Sequence, residues 1–216
     1  QYQGFGAQGG DWGASVTARL GFFHSAKVIG IHSTLPFRPT PYLGPGSKEL
    51  SKTEEDMLQQ RRDWQATEGG YAHIQGTKPQ TLSYGLNDSP AGLAAWIIEK
   101  YRTWSDCGGD VEKKFTKDEL LTTITIYWAT QSIASSTKIY YETLRKPWNL
   151  EKDQRIDVPC GIAAFPAEIS VPLREWVERS YNVQQWTVMP SGGHFAALEE
   201  PDRLVEDVRD FFRPLR

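Results

Sequence analysis

Cysteine, methionine and histidine are scarce: 216 residues include two Cys, two Met and four His. Cys107 and Cys160 alone cannot build a disulfide framework. Four scattered histidines and two cysteines show no metal-ligand spacing, so neither a metal nor a cofactor is expected. Charge of one sign is not in excess either. Lys and Arg number 24 against 27 Asp and Glu, a net charge of −3, and with no basic run nucleic acid is not an expected partner. No apolar run reaches the roughly 20 residues that cross a bilayer, and no signal-peptide pattern is visible. These absences leave membrane attachment by other means open. They allow a homodimer without specifying one. There is no internal repeat, no low-complexity segment and no initiating methionine.

What is present is concentrated first in Phe5-Gly-Ala-Gln-Gly-Gly-Asp-Trp-Gly13. A short apolar segment meets a glycine pair, then Asp11, Trp12 and Gly13, and a helical pattern runs from Ala14 to Phe23. Small-x-nucleophile-x-small is the form of a sharp strand-to-helix turn that lifts a nucleophile out of the backbone. Gly9 and Gly13 occupy the two small positions, where a Cβ is expected to clash. A helix start favours an ionised carboxylate and offers N–H groups to an anion. An Asp here is also an ordinary N-cap, so the rest of the chain has to decide.

Lys27 to His32 reads as a buried strand. Leu35 to Gly46, with prolines at 36, 39, 41 and 45, reads as loop. Capping boxes at Ser51/Glu54 and Thr116/Glu119 open helices, the second over a Thr- and Ile-rich segment whose propensity alone favours strand. Gly69-Gly70 ends the first, and Tyr71 to Ile74 reads as extended or turn-like. Ser89-Pro90 starts another helix, Asp106 to Asp110 is loop, and Ser132 to Leu144 is helical. Strand rhythm returns with Val158 to Phe165 and Gln185 to Met189, alternating with helices over Pro172 to Ser180 and Pro201 to Phe212. The expected organisation is α/β: core over 1–34, a helical insertion over 35–150, and core again over 151–216.

A nucleophilic carboxylate needs partners at strand C-termini, where α/β folds build their sites. Glu168 follows the third strand through Phe165-Pro166. His194 follows the last strand in Ser191-Gly-Gly-His-Phe195, where two glycines can turn the imidazole inward, and imidazole exchanges protons near neutrality. A loop Glu is more often simply solvated. The order nucleophile, acid, base, each after a strand, is much less ordinary than any one of the three. His24, His32 and His73 have weaker placement.

On these residues the chain resembles the microsomal-type epoxide hydrolases of the α/β-hydrolase superfamily. The likeness runs along nearly the whole sequence. It is carried by Gln8-Gly-Gly-Asp-Trp-Gly13, Gly192-Gly-His-Phe-Ala-Ala197 with Glu199-Glu-Pro201, and the acid loop Phe165-Pro-x-Glu168. Between them lie His73-Ile-Gln-Gly-Thr-Lys-Pro79, Leu86-Asn-Asp-Ser-Pro90, Gly92-Leu-Ala-Ala95 and Glu99-Lys100. The resemblance implies the C-terminal part of an α/β-hydrolase fold, a parallel sheet flanked by helices with an inserted helical lid. It implies a small-molecule substrate, a bulky apolar epoxide, with water as the other reactant. Asp11 would form an alkyl ester that His194, oriented by Glu168, hydrolyses to a diol. Tyr71 and Tyr140 of the lid would hold the epoxide oxygen, with Tyr141 as the neighbouring alternative. The N–H of Trp12 would supply one oxyanion donor. The family's His-Gly-x-Pro loop, source of the other donor, is absent from the sequence, so activity of these residues by themselves is not implied. Two rivals stay open. A haloalkane dehalogenase also uses Asp, but it would need halide-binding N–H donors in place of phenols. A non-catalytic or incomplete α/β-hydrolase chain would only bind ligand.

Overall fold

The computed structural model describes residues 3–37 and 42–216; Pro39 and Pro41 of the expected loop lie outside them. In chain order the elements are β1 (Phe5–Gly9), α1 (Asp11–Phe23), β2 (Val28–Ser33), α2 (Lys52–Glu68), α3 (Gly70–Thr77), α4 (Pro79–Asp88), α5 (Pro90–Trp104), α6 (Lys117–Ala129) and α7 (Ile133–Arg145), followed by β3 (Ile156–Ala164), α8 (Arg174–Ser180), β4 (Tyr181–Val188), α9 (Ala196–Glu199) and α10 (Pro201–Phe212). Single 3-10 turns lie at Val111–Lys113 and Arg213–Leu215. The chain divides into two compact units. One holds the chain up to Glu49 together with Trp104–Asp106 and Asn149–Arg216; the other holds Leu50–Thr103 and Cys107–Trp148.

The first unit is built on a parallel sheet in the order β1-β2-β3-β4. Its inner strands are apolar, as strands covered on both faces must be: Ile31, Ile156, Cys160, Ile162 and Ala163 are all buried. Helix α1 lies close to the sheet, since a Cβ on Gly21 would stand 2.9 Å from a Val158 methyl. The terminal helix α10 turns an apolar stripe inward and buries Leu204 and Phe211 on it. The strands make room for its aromatic rings with glycine, and a Cβ on Gly6 or Gly161 would run into Phe212 or Phe211. Strand β1 pairs with β2 on one side, and Phe5 on it is 43% exposed. Strand β4 begins at Tyr181, four residues before the expected start at Gln185. Asn182 and Gln184 hid its first turn of pleat from a reading based on apolar runs.

The second unit is helical. Both expected capping boxes form, Ser51 with Glu54 and Thr116 with Glu119. The second of them starts α6 and outweighs its β-branched composition. Leu86, Leu93, Ile124 and Ile133 form its buried core, and a buried hydroxyl pair, Ser83 with Thr137 at 3.0 Å, ties α4 to α7. Tyr71 to Ile74 is helical, not extended, because it lies within α3. Gly69 keeps right-handed helical angles (φ −75°, ψ −4°), so the glycine pair bends the chain from one helix into the next and does not release it. The unanticipated α4 starts on Pro79 at its first turn, a position where proline costs nothing.

Candidate active site

Asp11 leaves β1 through Gly9 and Gly10 and is the first residue of α1. Its φ is +46°, in the left-handed region that non-glycine residues seldom enter and that Asp tolerates better than most. The turn is sharp enough that a Cβ on Gly9 would stand 2.3 Å from the backbone carbonyl of Gly13. The expected clash is therefore real at Gly9. At Gly13 it is not: a Cβ there would have nothing within 4 Å. The tight approach is one-sided, with the Gly13 backbone leaning over Gly9. The Asp11 side chain is 51% exposed and stands at a helix start without a side-chain cap. Trp12 is the next residue of that first turn.

Glu168 and His194 lie on two loops that follow β3 and β4. The loops are stitched together by a parallel bridge between Ala167 and Gly193 and by the Ala167 N–H donating to Gly192 O at 3.1 Å. Gly192 makes the second loop turn with φ +100°, a conformation suited to glycine. The result is a continuous chain of three side chains. His194 Nδ1 is 2.6 Å from Glu168 Oε1, and His194 Nε2 is 2.9 Å from Asp11 Oδ2. Glu168 Oε1 also accepts the Ile169 N–H at 2.8 Å. The carboxylate of Glu168 is fully buried and the imidazole nearly so, while Asp11 faces outward.

The electrostatics follow from this line. Burial works to lower the His194 pKa, but hydrogen bonds and charge from Asp11 and Glu168 outweigh it and push the value up to about 10. An imidazole between two carboxylates is thus held as imidazolium at neutral pH. One ring nitrogen belongs to a buried acid that orients it. The other belongs to a solvent-facing acid in an elbow, the arrangement of a nucleophile, a base and its orienting group. Among the described residues, no group of three or more His, Cys, Asp or Glu could hold a metal ion, and no helix is long and apolar enough to cross a membrane.

The helical unit brings its own two candidates together. The rings of Tyr71 on α3 and Tyr140 on α7 meet edge to face at 5.8 Å. Tyr141 is occupied differently, with the Arg145 guanidinium over its ring. Lys100 Nζ lies 4.8 Å from the centre of the Tyr71 ring and 2.6 Å from Glu99.

Of the remaining histidines, His24 caps the end of α1 and His73 is exposed on α3. His32 is fully buried, and its Nε2 is 2.8 Å from Asp207 Oδ2. Asp207 also accepts from Gln185 and Thr187 through Oδ1. This second His–Asp pair holds β2, β4 and α10 together. Sequence reading assigned no role to Trp104, Asp106 or Glu199, although Glu199 lies in one of the stretches that carry the resemblance, and all three touch the His194 loop. Trp104 packs its ring edge to face with His194 at 5.2 Å.

No family model matches the chain. Individual proteins do. Epoxide hydrolase 1 of Oryctolagus cuniculus is 39% identical over 97% of this chain and 51% of its own length. Among solved structures, the epoxide hydrolase of Aspergillus niger is 30% identical with a TM-score of 0.79, covering 99% of this chain and 53% of that one. The juvenile hormone epoxide hydrolase of the silkworm Bombyx mori is 29% identical with a TM-score of 0.82, covering 100% of this chain and 55% of that one. The chain spans about half the length of the curated relatives it matches. The resemblance read from the sequence therefore extends to overall structure, and the parallel sheet flanked by helices is that of the α/β-hydrolases.

Proposed function

We propose that this chain, a relative of the epoxide hydrolases that shares their α/β-hydrolase fold, carries the acid, base and nucleophile with which an apolar epoxide is opened to a vicinal diol. The observation that carries the reading is the single line Asp11–His194–Glu168, at 2.9 and 2.6 Å, with a carboxylate and not a hydroxyl in the elbow. In the first step an Asp11 oxygen attacks an epoxide carbon. The carbon–oxygen bond breaks toward the ring oxygen, which takes a proton, and an alkyl ester with a neighbouring hydroxyl remains. The resemblance gives that proton donation to Tyr71 and Tyr140, whose phenols can donate at neutral pH.

In the second step water attacks the ester carbonyl while His194 takes its proton. The alcohol leaves as the diol with that proton; the water's second proton, left on the Asp11 carboxyl, passes to His194, so that Asp11 is a carboxylate and the imidazole an imidazolium again. Charge orders the two steps. While Asp11 is ionised, His194 stays protonated and is no base. Esterification removes one of the two carboxylates that hold the proton, so the imidazolium gives it up, replacing the one that the ring-opening donor lost, and the neutral imidazole can then accept a proton from water. An oxyanion on the ester would lie near the start of α1, where Trp12 sits, and a helix N-terminus favours negative charge.

The test is His194→Gln in the full chain. Styrene oxide should alkylate Asp11 and stop there, giving a peptide one substrate mass heavier by mass spectrometry. A variant that binds the epoxide yet never forms this adduct would remove the covalent mechanism. Chloride release from a matched haloalkane, with no diol from the epoxide, would favour the dehalogenase reading instead.

A further inference from the structure

We propose that Asp106 and Glu199 are positioning residues that hold the His194 loop in register with Asp11; the proposal rests on the triad reading above. Three N–H groups of this loop need partners, and buried donors without them are costly. Gly192 N–H donates to Asp106 Oδ2 at 2.9 Å. His194 N–H donates to Trp104 O at 2.9 Å. Phe195 N–H donates to Glu199 Oε1 at 3.0 Å. The second oxygen of Glu199 accepts the Asp106 N–H at 2.7 Å. The segment Trp104–Asp106 and the short helix α9 thus grip the loop from two sides and are joined to each other by the same glutamate. Glu199 is buried.

Packing supports the same conclusion independently of the hydrogen bonds. A Cβ on Gly193 would stand 2.7 Å from Trp104 O and 2.9 Å from Ala167 O. The loop is therefore pinned between two backbones at the residue before His194. Although Trp104 is the last residue of α5 and Ser105 and Asp106 follow directly, the three group with the sheet unit and not with the rest of the helix. A loop held this way fixes where His194 Nε2 points. Base catalysis on a water is sensitive to that placement, whereas attack by Asp11 on the epoxide does not depend on it.

The two rates separate this role from a general effect on stability. In the full chain with styrene oxide, quenched single-turnover mass spectrometry reads alkylation and ester hydrolysis independently. Asp106→Ala removes the acceptor and should slow hydrolysis roughly ten- to a hundred-fold while alkylation stays near native. Asp106→Asn keeps a carbonyl acceptor for Gly192 and should recover most of the loss. Should the alanine variant fail to fold, Glu199→Gln gives the reading. One of its two acceptor oxygens becomes an amide facing an N–H, and the same selective loss is expected. A native ratio of hydrolysis to alkylation in Asp106→Ala, or in Glu199→Gln if that is the variant that folds, overturns the proposal. The companion variant His194→Gln distinguishes the failures. If it accumulates ester while the clamp variants behave as native, only the clamp is wrong. If it forms no ester, the triad reading falls first.

Discussion

Neutralising Asp11 should release the proton that His194 holds. In the resting structure the imidazole lies between two carboxylates, and its pKa is pushed up to about 10. Glu168 is fully buried and stays in place; Asp11, at 2.9 Å, is the partner whose charge the proposed ester would remove. An opposite charge at this range typically shifts a pKa by about 1–3 units, and Asp11 is half exposed, which screens it. Asp11→Asn keeps a hydrogen-bond acceptor and the shape of the elbow while removing the charge. The His194 pKa in that variant should fall to roughly 7–9 by the same range of shift. Burial, which opposes protonation, then acts against Glu168 alone.

The assay is an NMR titration of the imidazole resonances. Only His24, His32, His73 and His194 are present, so a His194→Gln spectrum assigns the signal. The alkyl-enzyme should follow the same sign. Ester hydrolysis should rise with pH through the lowered value and level off above it, because only the neutral imidazole accepts a proton. A His194 pKa that is unchanged or raised in Asp11→Asn would refute the charge ordering of the two steps. So would hydrolysis whose midpoint stays near the resting value of about 10.

Other substitutions test other parts of the structure. Gly9→Ala should cost more than the roughly 1–3 kcal/mol of ordinary overpacking, since its Cβ meets backbone, while Gly13→Ala should be neutral or stabilise by up to about 1 kcal/mol; denaturant midpoints and alkylation rates check both. Tyr71→Phe and Tyr140→Phe should each slow alkylation within the roughly 10²–10⁴-fold range of a general acid while sparing ester hydrolysis, and the double variant should be far worse; native alkylation in the double variant would return both rings to packing. Asp207→Ala strands donors from His32 and Thr187 and leaves Gln185 only the carbonyl of residue 207, and should lower stability by about 3 kcal/mol or more, with Asp207→Asn between it and native; a loss below about 1 kcal/mol would mean that the buried pair holds nothing together.

The Asp11, Glu168 and His194 positions could be found in the sequence because each is announced locally. A glycine pair after an apolar run, a proline after a strand and a glycine pair before a histidine each mark a strand end. Parallel strands then gather those ends on one edge of the sheet. The elements that were misread fail for equally local reasons. Gly69 can end a helix or bend one, and only its backbone angles say which. Asn182 and Gln184 mask the start of a strand that is polar where it is partly exposed. Residues that act through another residue carry no local mark at all. Asp207 sits inside the apolar stripe of α10, and its histidine is 175 positions away. Asp106 looks like any turn aspartate beside two glycines, and Glu199 like any helix-end glutamate. Their work is defined by backbone N–H groups of a loop some 86 positions from Asp106, and backbone groups are the same in every residue. A triad can be read from side-chain chemistry, whereas the hold on its histidine depends on main-chain donors that no residue type encodes. For this reason the acceptors around the loop, more than the triad itself, had to wait for the fold.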